Sequence, residues 1–367
     1  MEGGVTSSGK EQIISEAYRL GFDAVRFARA DTSLDEDFSR YEAFVRDGKH
    51  GDMAWLARSA EARRRLDTSL VLDNAKTIIC LAHRYARAAE DEARDPEILQ
   101  AVARYARASD YHNFLRKKLR KLAAFVRRLE TIASQVHARP LCDREPILER
   151  AWAARAGLGF IGKNGMLVVP GIGSLVLLGE VVTTLVLEPD APVAEKCGTC
   201  TRCLDACPTS AFERPFVLDP RKCIAYLTIE HRGTIAESLR APMGTHLFGC
   251  DDCQVACPHN ASVRRGQKVQ SALDPRFVPN RSWSDVTLTD LLALGGEHLA
   301  TLCQGSPLGR LGRVGLARNA AIAIGNRAHD RDVPRLEETS RTHDSELVRE
   351  AAAWAAARAR LARKLVP

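Results

Sequence analysis

Eight of the eleven cysteines in this chain fall in one stretch, in the order of a metal-binding array. The first run, CGTCTRCLDACP from Cys197, is spaced C-x₂-C-x₂-C-x₃-C and closes on proline. Cys223 follows, then Cys250, Cys253 and Cys257 in a C-x₂-C-x₃-C-P run, so Cys223 supplies the member that the second run lacks. A tight C-x₂-C-x₂-C loop wraps three corners of an iron–sulfur cube and cannot reach the fourth. In two-cluster ferredoxins the cysteine before proline ligates the neighbouring cube. The spacing therefore predicts two [4Fe–4S] clusters, one on Cys197, Cys200, Cys203 and Cys257, the other on Cys207, Cys223, Cys250 and Cys253. Two zinc sites are the competing reading, because C-x₂-C pairs also serve zinc. Eight thiols in this order, with two Cys-Pro ends, favour clusters. Cys80, Cys142 and Cys303 stand alone and read as small buried hydrophobes.

A cluster only stores and passes electrons, so the long segment before Cys197 is expected to house their acceptor. Its most suggestive motif is GLGFIG at Gly157–Gly162, formally G-x-G-x-x-G. A nicotinamide-binding loop follows a strand and opens a helix; here the pattern is helix first, strand second, so a dinucleotide site is rejected. No Walker-type phosphate loop is present.

The elements that must position such a site read as a mixture. EQIISEAYRLGF is a helix stopped at Gly21, with a short strand after it, and LDEDFSRYEAFVRDG is a second helix. KTIICLAHRY is a buried strand. Residues from Asp110, a candidate cap, run into a long helix whose apolar stripe is Leu115, Leu119, Leu122, Val126 and Leu129. PILERAWAARAGLG is a helix with proline suited to its first turn, and MLVVPGIGSLVLLGEVVTTLVLE gives two strands joined by a Pro-Gly-Ile-Gly turn. The fold class expected is α/β (α+β) over residues 1–190, a ferredoxin-like two-cluster domain over 191–285, and a helical domain over 286–367. The Ala/Arg-rich tail reads either as HEAT-like helix pairs or as a plain helical cap.

Composition is that of an ordinary globular chain, 45% hydrophobic and 27% charged, with a net charge of +7. There is no apolar run long enough to span a bilayer and no signal-type N-terminus, so no membrane association is expected and the protein is read as cytoplasmic. Clustered cysteines in a reducing compartment mean metal rather than disulfides. The charge is uneven: Arg104–Arg128 carries nine Lys/Arg against one acid, Asp110, and the chain from Arg310 carries twelve Lys/Arg against seven acids. Such stretches suit a polyanion, or are merely solvated helix faces.

HGDMAWLAR (His50–Arg58), RYARASDYHNFLRKKL (Arg104–Leu119), CDREPILERAWAARAGLGFIGKNGMLV (Cys142–Val168), the eight cysteines and YLTIEHRGTI (Tyr226–Ile235) together make the chain resemble the epoxyqueuosine reductases, cobalamin-dependent enzymes of transfer-RNA modification. DREP departs from the more usual D-S/T-G/A-P form but keeps the aspartate and the proline. The resemblance implies cobalamin bound between the first domain and the cluster domain. It implies reduction of the epoxide of epoxyqueuosine to the alkene of queuosine in a tRNA anticodon loop, with the clusters re-reducing the cobalt. It places Asp143 at the family's proton-donor position, where a carboxyl group whose pKa is raised by partial burial supplies a proton. Asp110, Tyr111 and His112 become candidates for the substrate pocket, and Arg65 and Asn164, with Asp143, candidates for the cobalamin contact. DYHNFL begins like the Asp-x-His-x-x-Gly motif of another cobalamin class but ends in leucine, which fits a cofactor with no protein ligand on cobalt.

For the tRNA, Arg116, Lys117 and Arg120 lie within about one helical turn, and Arg318 and Arg327 flank a tail helix end. An external electron donor and a monomeric state complete the expectation. Two other readings stay in view: a reductive dehalogenase, and an electron-transfer or RNA-binding iron–sulfur protein without catalysis.

Overall fold

The structure is a computed structural model, and it describes residues 7–129, 135–261 and 274–364. Its first half is built on a four-stranded antiparallel sheet of order β1-β2-β6-β3, formed by β1 (Ala24–Arg29), β2 (Thr77–Arg84), β6 (Val176–Thr183) and β3 (Ala138–Leu141). Side chains alternate across a strand, and here both faces are covered. Ile79 and Leu81 of β2 face α1 (Ser7–Arg19) and α3 (Tyr111–Arg127), packing with Ile13, Ala17, Leu115, Leu119, Leu122 and Val126. Ile78, Cys80 and Ala82 face the opposite way, onto Trp152 and Ala153 of α4 (Glu149–Arg155) and onto Leu34 and Leu66. Burial on both faces is why KTIICLAHRY carries a continuous apolar run rather than an alternating one. α2 (Asp35–Arg46) lies outside the core and buries no side chain.

Two local expectations are corrected. Pro146 is not in the first turn of α4, which starts at Glu149; the proline belongs to the loop that follows β3. The two strands around Pro-Gly-Ile-Gly do not pair with each other: β5 (Leu167–Val168) pairs with β4 (Phe160–Ile161), while β6 joins the main sheet. The turn itself is real, closed by Val169–Gly173 hydrogen bonds with Gly171 and Gly173 at positive φ.

After Asp190, whose carboxylate holds Lys10 and the Phe27 N–H, the chain enters the cysteine-rich part. Two one-turn helices, α5 (Arg202–Asp205) and α7 (Asp252–Val255), each begin just before the third cysteine of a tight run or its counterpart, and α6 (Ile224–Ile229) starts directly after Cys223. The C-terminal part is helical: α8 (Gly296–Leu302), α9 (Gly312–Arg327), α10 (Val333–Thr342) and α11 (Glu346–Lys364). α9 packs so closely on α11 that a Cβ on Gly325 would meet the Ala355 Cα at 2.6 Å. One core unites these parts with the first: Ile98, Leu99, Val102 and Ala106 pack with Leu227, Phe248, Trp283, Ile322 and Ala355. Among the described residues no helix is long and apolar enough to cross a membrane.

Candidate active site

The segment that crosses between the parts, RYARASDYH, also carries the polar groups. Arg104 anchors it. Its N–H donates to Asp251 at 2.8 Å and its guanidinium pairs with Glu92 at 2.8 Å and Asp251 at 3.2 Å, all three side chains being largely buried. Asp251 lies between Cys250 and Cys253, so the same arginine ties the cluster loop to the chain that leads into α3. Asp110 caps α3, accepting the His112 N–H at 3.0 Å, while its own N–H donates to Gly305 in the C-terminal part at 2.7 Å.

From this start the side chains converge on Asp143. The Tyr111 hydroxyl donates to Asp143 Oδ2 at 2.7 Å, and His112 Nε2 stands 2.9 Å from the same oxygen. His112 Nδ1 is 2.7 Å from Asp110 Oδ1, so the imidazole bridges two carboxylates, and its ring stacks on Tyr111 at 4.1 Å. Tyr105 packs edge-on against Tyr111. Asp143 sits just past β3 in a left-handed conformation, φ +59°, with its side chain 45% exposed. Few residues other than glycine adopt that conformation; aspartate is among them. Of the three residues expected in the substrate pocket, Tyr111 and His112 thus touch Asp143, and Asp110 reaches it through His112.

The electrostatics reverse one expectation. Burial pushes the Asp143 carboxyl up, but hydrogen bonds from His112 and Tyr111, with the His112 charge, outweigh it and hold the group below the ordinary range. Burial opposes charge on His112, yet Asp110 and Asp143 outweigh that and push it up to about 9. At neutral pH the proton therefore sits between His112 and Asp143 on a charged pair, rather than on a carboxyl raised by burial. Asp110 is likewise held low, burial being outweighed by the bonds from His112. Tyr111 is pushed up by burial and by the Asp143 charge, so it stays a hydroxyl donor.

Beneath this trio lie two residues that the sequence reading missed. The Asp143 N–H donates to Glu149 Oε1 at 2.8 Å, and Glu149 faces Glu180, fully buried in the middle of β6. Burial raises Glu149 to about 7 and Glu180 well above the carboxylate range. A signal existed: GEVV sets one glutamate inside an apolar strand, and buried acids are rare without a reason. Arg310 was also missed. Paired with Glu230 at 2.8 Å and about half exposed, it brings positive charge from the C-terminal part to Asp143 and Tyr105.

The other expected contacts divide. Asn164 is buried beside the second cysteine group, its amide 3.5 Å from the Cys253 carbonyl, and its Oδ1 accepts the Met166 N–H. Arg65 is exposed and pairs with Asp67 at 2.7 Å. On α3, Lys117 and Arg120 are exposed, and Arg116 is tied to Glu145 at 2.8 Å. Arg318 is a correction: it is 2% exposed and spends its guanidinium on the carbonyls of Leu227, His231 and Gly233, so it braces the fold and meets no phosphate. Arg327, 17% exposed, pairs with Glu97 at 2.7 Å and with Asp332 at 3.2 Å.

None of the cysteines is in a disulfide, and Cys80, Cys142 and Cys303 are buried among apolar groups as expected. Of the eight, Cys257 stands by Cys200 and Cys203, while Cys223 stands by Cys207 and Cys253. Lys163 donates to the Gly198 and Cys200 carbonyls, fixing the first loop. Eight soft donors in two neighbouring groups fit two four-thiolate iron–sulfur clusters. For cobalamin, the question is whether a side chain would compete for cobalt. Both nitrogens of His112 are engaged by carboxylates, so DYHNFL offers no free imidazole, which fits a corrinoid held without a protein ligand.

A cysteine array suited to two iron–sulfur clusters, joined through Arg104 to the segment that carries an acid site, has the make-up of a redox enzyme. Comparison with known proteins sharpens the class: residues 196–260 match the family described as "4Fe-4S double cluster binding domain" and residues 65–143 match "Epoxyqueuosine reductase QueG, DUF1730". An epoxyqueuosine reductase of Xanthomonas campestris is 39% identical over 327 residues, 88% of this chain and 89% of its own length. That of Escherichia coli is 36% identical over 340 residues, 92% of this chain and 86% of its own. A solved epoxyqueuosine reductase with a modified tRNA-Tyr stem loop superposes with a TM-score of 0.84 at 30% identity, covering 96% of this chain and 90% of that one. Another, from Bacillus subtilis with its catalytic aspartate loop swung out of the active site, gives 0.83 at 30% identity over 96% and 91%. The chain belongs to the epoxyqueuosine reductase family.

Proposed function

We infer that this protein reduces epoxyqueuosine to queuosine in the anticodon loop of tRNA, with cobalamin and two [4Fe–4S] clusters as its cofactors. Family membership sets the reaction, and the observation that carries it in this chain is the convergence of Tyr111 and His112 on the half-exposed Asp143. Replacing an epoxide by an alkene takes two electrons and two protons and releases the oxygen as water. Cobalamin, when bound, would supply the reducing chemistry, with its electrons drawn from the clusters.

The chain's own residues handle the protons. The His112–Asp143 pair holds one at Asp143 Oδ2, the oxygen to which the Tyr111 hydroxyl also donates. As the epoxide oxygen gains charge, that proton moves to it. Such acid catalysis is worth about 10²–10⁴ in rate. Asp110 holds the far nitrogen of His112 and so fixes the ring.

The ligand sets Cys197, Cys200, Cys203, Cys257 and Cys207, Cys223, Cys250, Cys253 are supported by the proximities above. Lys117 and Arg120, with the exposed part of Arg116 and with Arg310 at the pocket mouth, suit the phosphates of an anticodon stem loop. Domains at 1–190, 191–285 and 286–367, with HEAT-like helix pairs in the last, suit this division of labour, as do a cytoplasmic location, a monomer and an external electron donor.

The test is direct. The protein is reconstituted with iron, sulfide and cobalamin, reduced, and given an epoxyqueuosine-bearing tRNA stem loop. Mass spectrometry should show loss of one oxygen from the nucleoside. No product from a fully loaded, reduced enzyme overturns the reading.

A further inference from the structure

We propose that Glu149 and Glu180 act as one carboxyl pair that shares a proton and, through the Glu149 bond to the Asp143 N–H, positions the Asp143 carboxylate against Tyr111 and His112. The proposal rests on the reading of Asp143 as the proton donor, and it makes Glu149 a positioning residue.

Strand parity brings the pair together. On β6, Val181 faces the α1 and α3 side, so Glu180 and Val182 face α4, and Glu180 stands opposite Cys80 of β2. Glu149 is the first residue of α4, on that same face. Glu180 is 0% exposed, and neither of its oxygens has a donor among the described residues. Its polar neighbour is the Glu149 carboxyl. Two carboxyl groups in an apolar layer with Trp152 and Val182 do not face each other as two bare anions; a shared proton supplies the donor.

Arg150 is the cation whose charge reaches Glu149, and its guanidinium is engaged elsewhere; the other titratable groups facing the pair give it no counter-charge. They are the thiols Cys80 and Cys142 and the acids Asp143 and Glu145. Glu145 is itself spent on Arg116 and the Cys142 N–H. Arg150, next in sequence to Glu149, donates to the Gly165 carbonyl. The remaining Glu149 oxygen is thus left to the Asp143 N–H, a bond that becomes charge-assisted when the pair is ionised. Asp143 needs such a hold, because a non-glycine residue at φ +59° persists only where its surroundings determine it.

A pH consequence follows. Burial, then the Asp143 charge, places the first ionisation of the pair near 7, through Glu149, while Glu180 keeps its proton well beyond. His112 stays charged up to about 9. Between these limits the N–H bond is charge-assisted and the proton donor is loaded.

The experiment is single-turnover reduction of an epoxyqueuosine-bearing stem loop by pre-reduced holoenzyme, followed across pH. Wild type should show an acid limb near 7. Glu149→Gln keeps an acceptor for the Asp143 N–H and a donor for Glu180 but carries no charge, so its rate should stay near the acid-side level of wild type at every pH and the acid limb should vanish. Glu149→Ala should lower kcat about ten- to a hundredfold, with KM for the stem loop and the cluster EPR signals unchanged. Glu180→Gln, which fixes the donor, guards against simple misfolding: it should melt at a higher temperature than wild type at alkaline pH. Wild-type rate and pH profile in Glu149→Ala, or an acid limb retained in Glu149→Gln, overturns the pair. Asp143→Asn run alongside separates the two readings, since a wild-type rate there removes the donor role itself, whatever Glu149 does.

Discussion

The thiols between Cys197 and Cys257 and the acids around Asp143 are held by different means. Each cysteine run is local, with one-turn helices setting neighbouring thiols side by side, and Cys223 lies apart from both runs in sequence. The acid pocket has no local motif. Asp110, Tyr111 and His112 start a helix, Asp143 follows a strand, Glu149 opens a second helix, Glu180 lies mid-strand, and Arg310 arrives from the C-terminal part. Metal ligation is satisfied by donor count and reach, whereas a proton donor needs charge and burial balanced among groups that only the tertiary fold assembles. Arg104 is the joint between the two, one hand on Glu92 and one on Asp251.

Breaking the cluster side should have the largest effect. Cys257→Ala is expected to abolish turnover and to disturb the cluster of Cys197, Cys200 and Cys203, while the EPR signal of the other cluster persists; the reverse pattern would uncross the ligand sets. Next comes Arg318→Leu, which strands the Leu227, His231 and Gly233 carbonyls and should cost about 3 kcal/mol in denaturant unfolding. It should leave the salt dependence of tRNA binding unaltered, because the guanidinium never reaches solvent.

The third prediction tests the acid side through stability. The folded His112 pKa lies above its unfolded value, so its contribution is complete below about 6.5 and is lost as pH rises through about 9. Wild type should lose on the order of 1–3 kcal/mol from this group across that window, and His112→Gln should make the curve shallower while leaving the loss that buried Glu180 adds over the same range. The smallest effect belongs to the surface. Lys117→Ala or Arg120→Ala should weaken stem-loop binding less than tenfold and reduce the slope of log affinity against log salt by about 1 each. An unchanged slope would remove α3 from the interface.

The clusters, the central strands and the long helix were legible in the sequence because spacing and periodicity are local properties. Asp143 was named by resemblance alone; nothing in DREP announces a left-handed aspartate bonded to Tyr111 and His112. Its charge state was misread because burial argues for a raised pKa until the imidazole beside it is seen. Arg318 was misread for the opposite reason: a basic residue in a basic helix looks solvated until the carbonyls at its tip are known. Glu180 could have been caught, since an acid inside an apolar strand needs a partner, but Glu149 could be named as that partner only from the fold.

The most direct test of the division into an electron side and a proton side is Asp143→Asn in the reconstituted enzyme. The clusters should load and reduce as in wild type, with unchanged EPR signals. Single-turnover loss of oxygen from epoxyqueuosine should slow by about 10²-fold or more. Product formed at the wild-type rate would contradict the account.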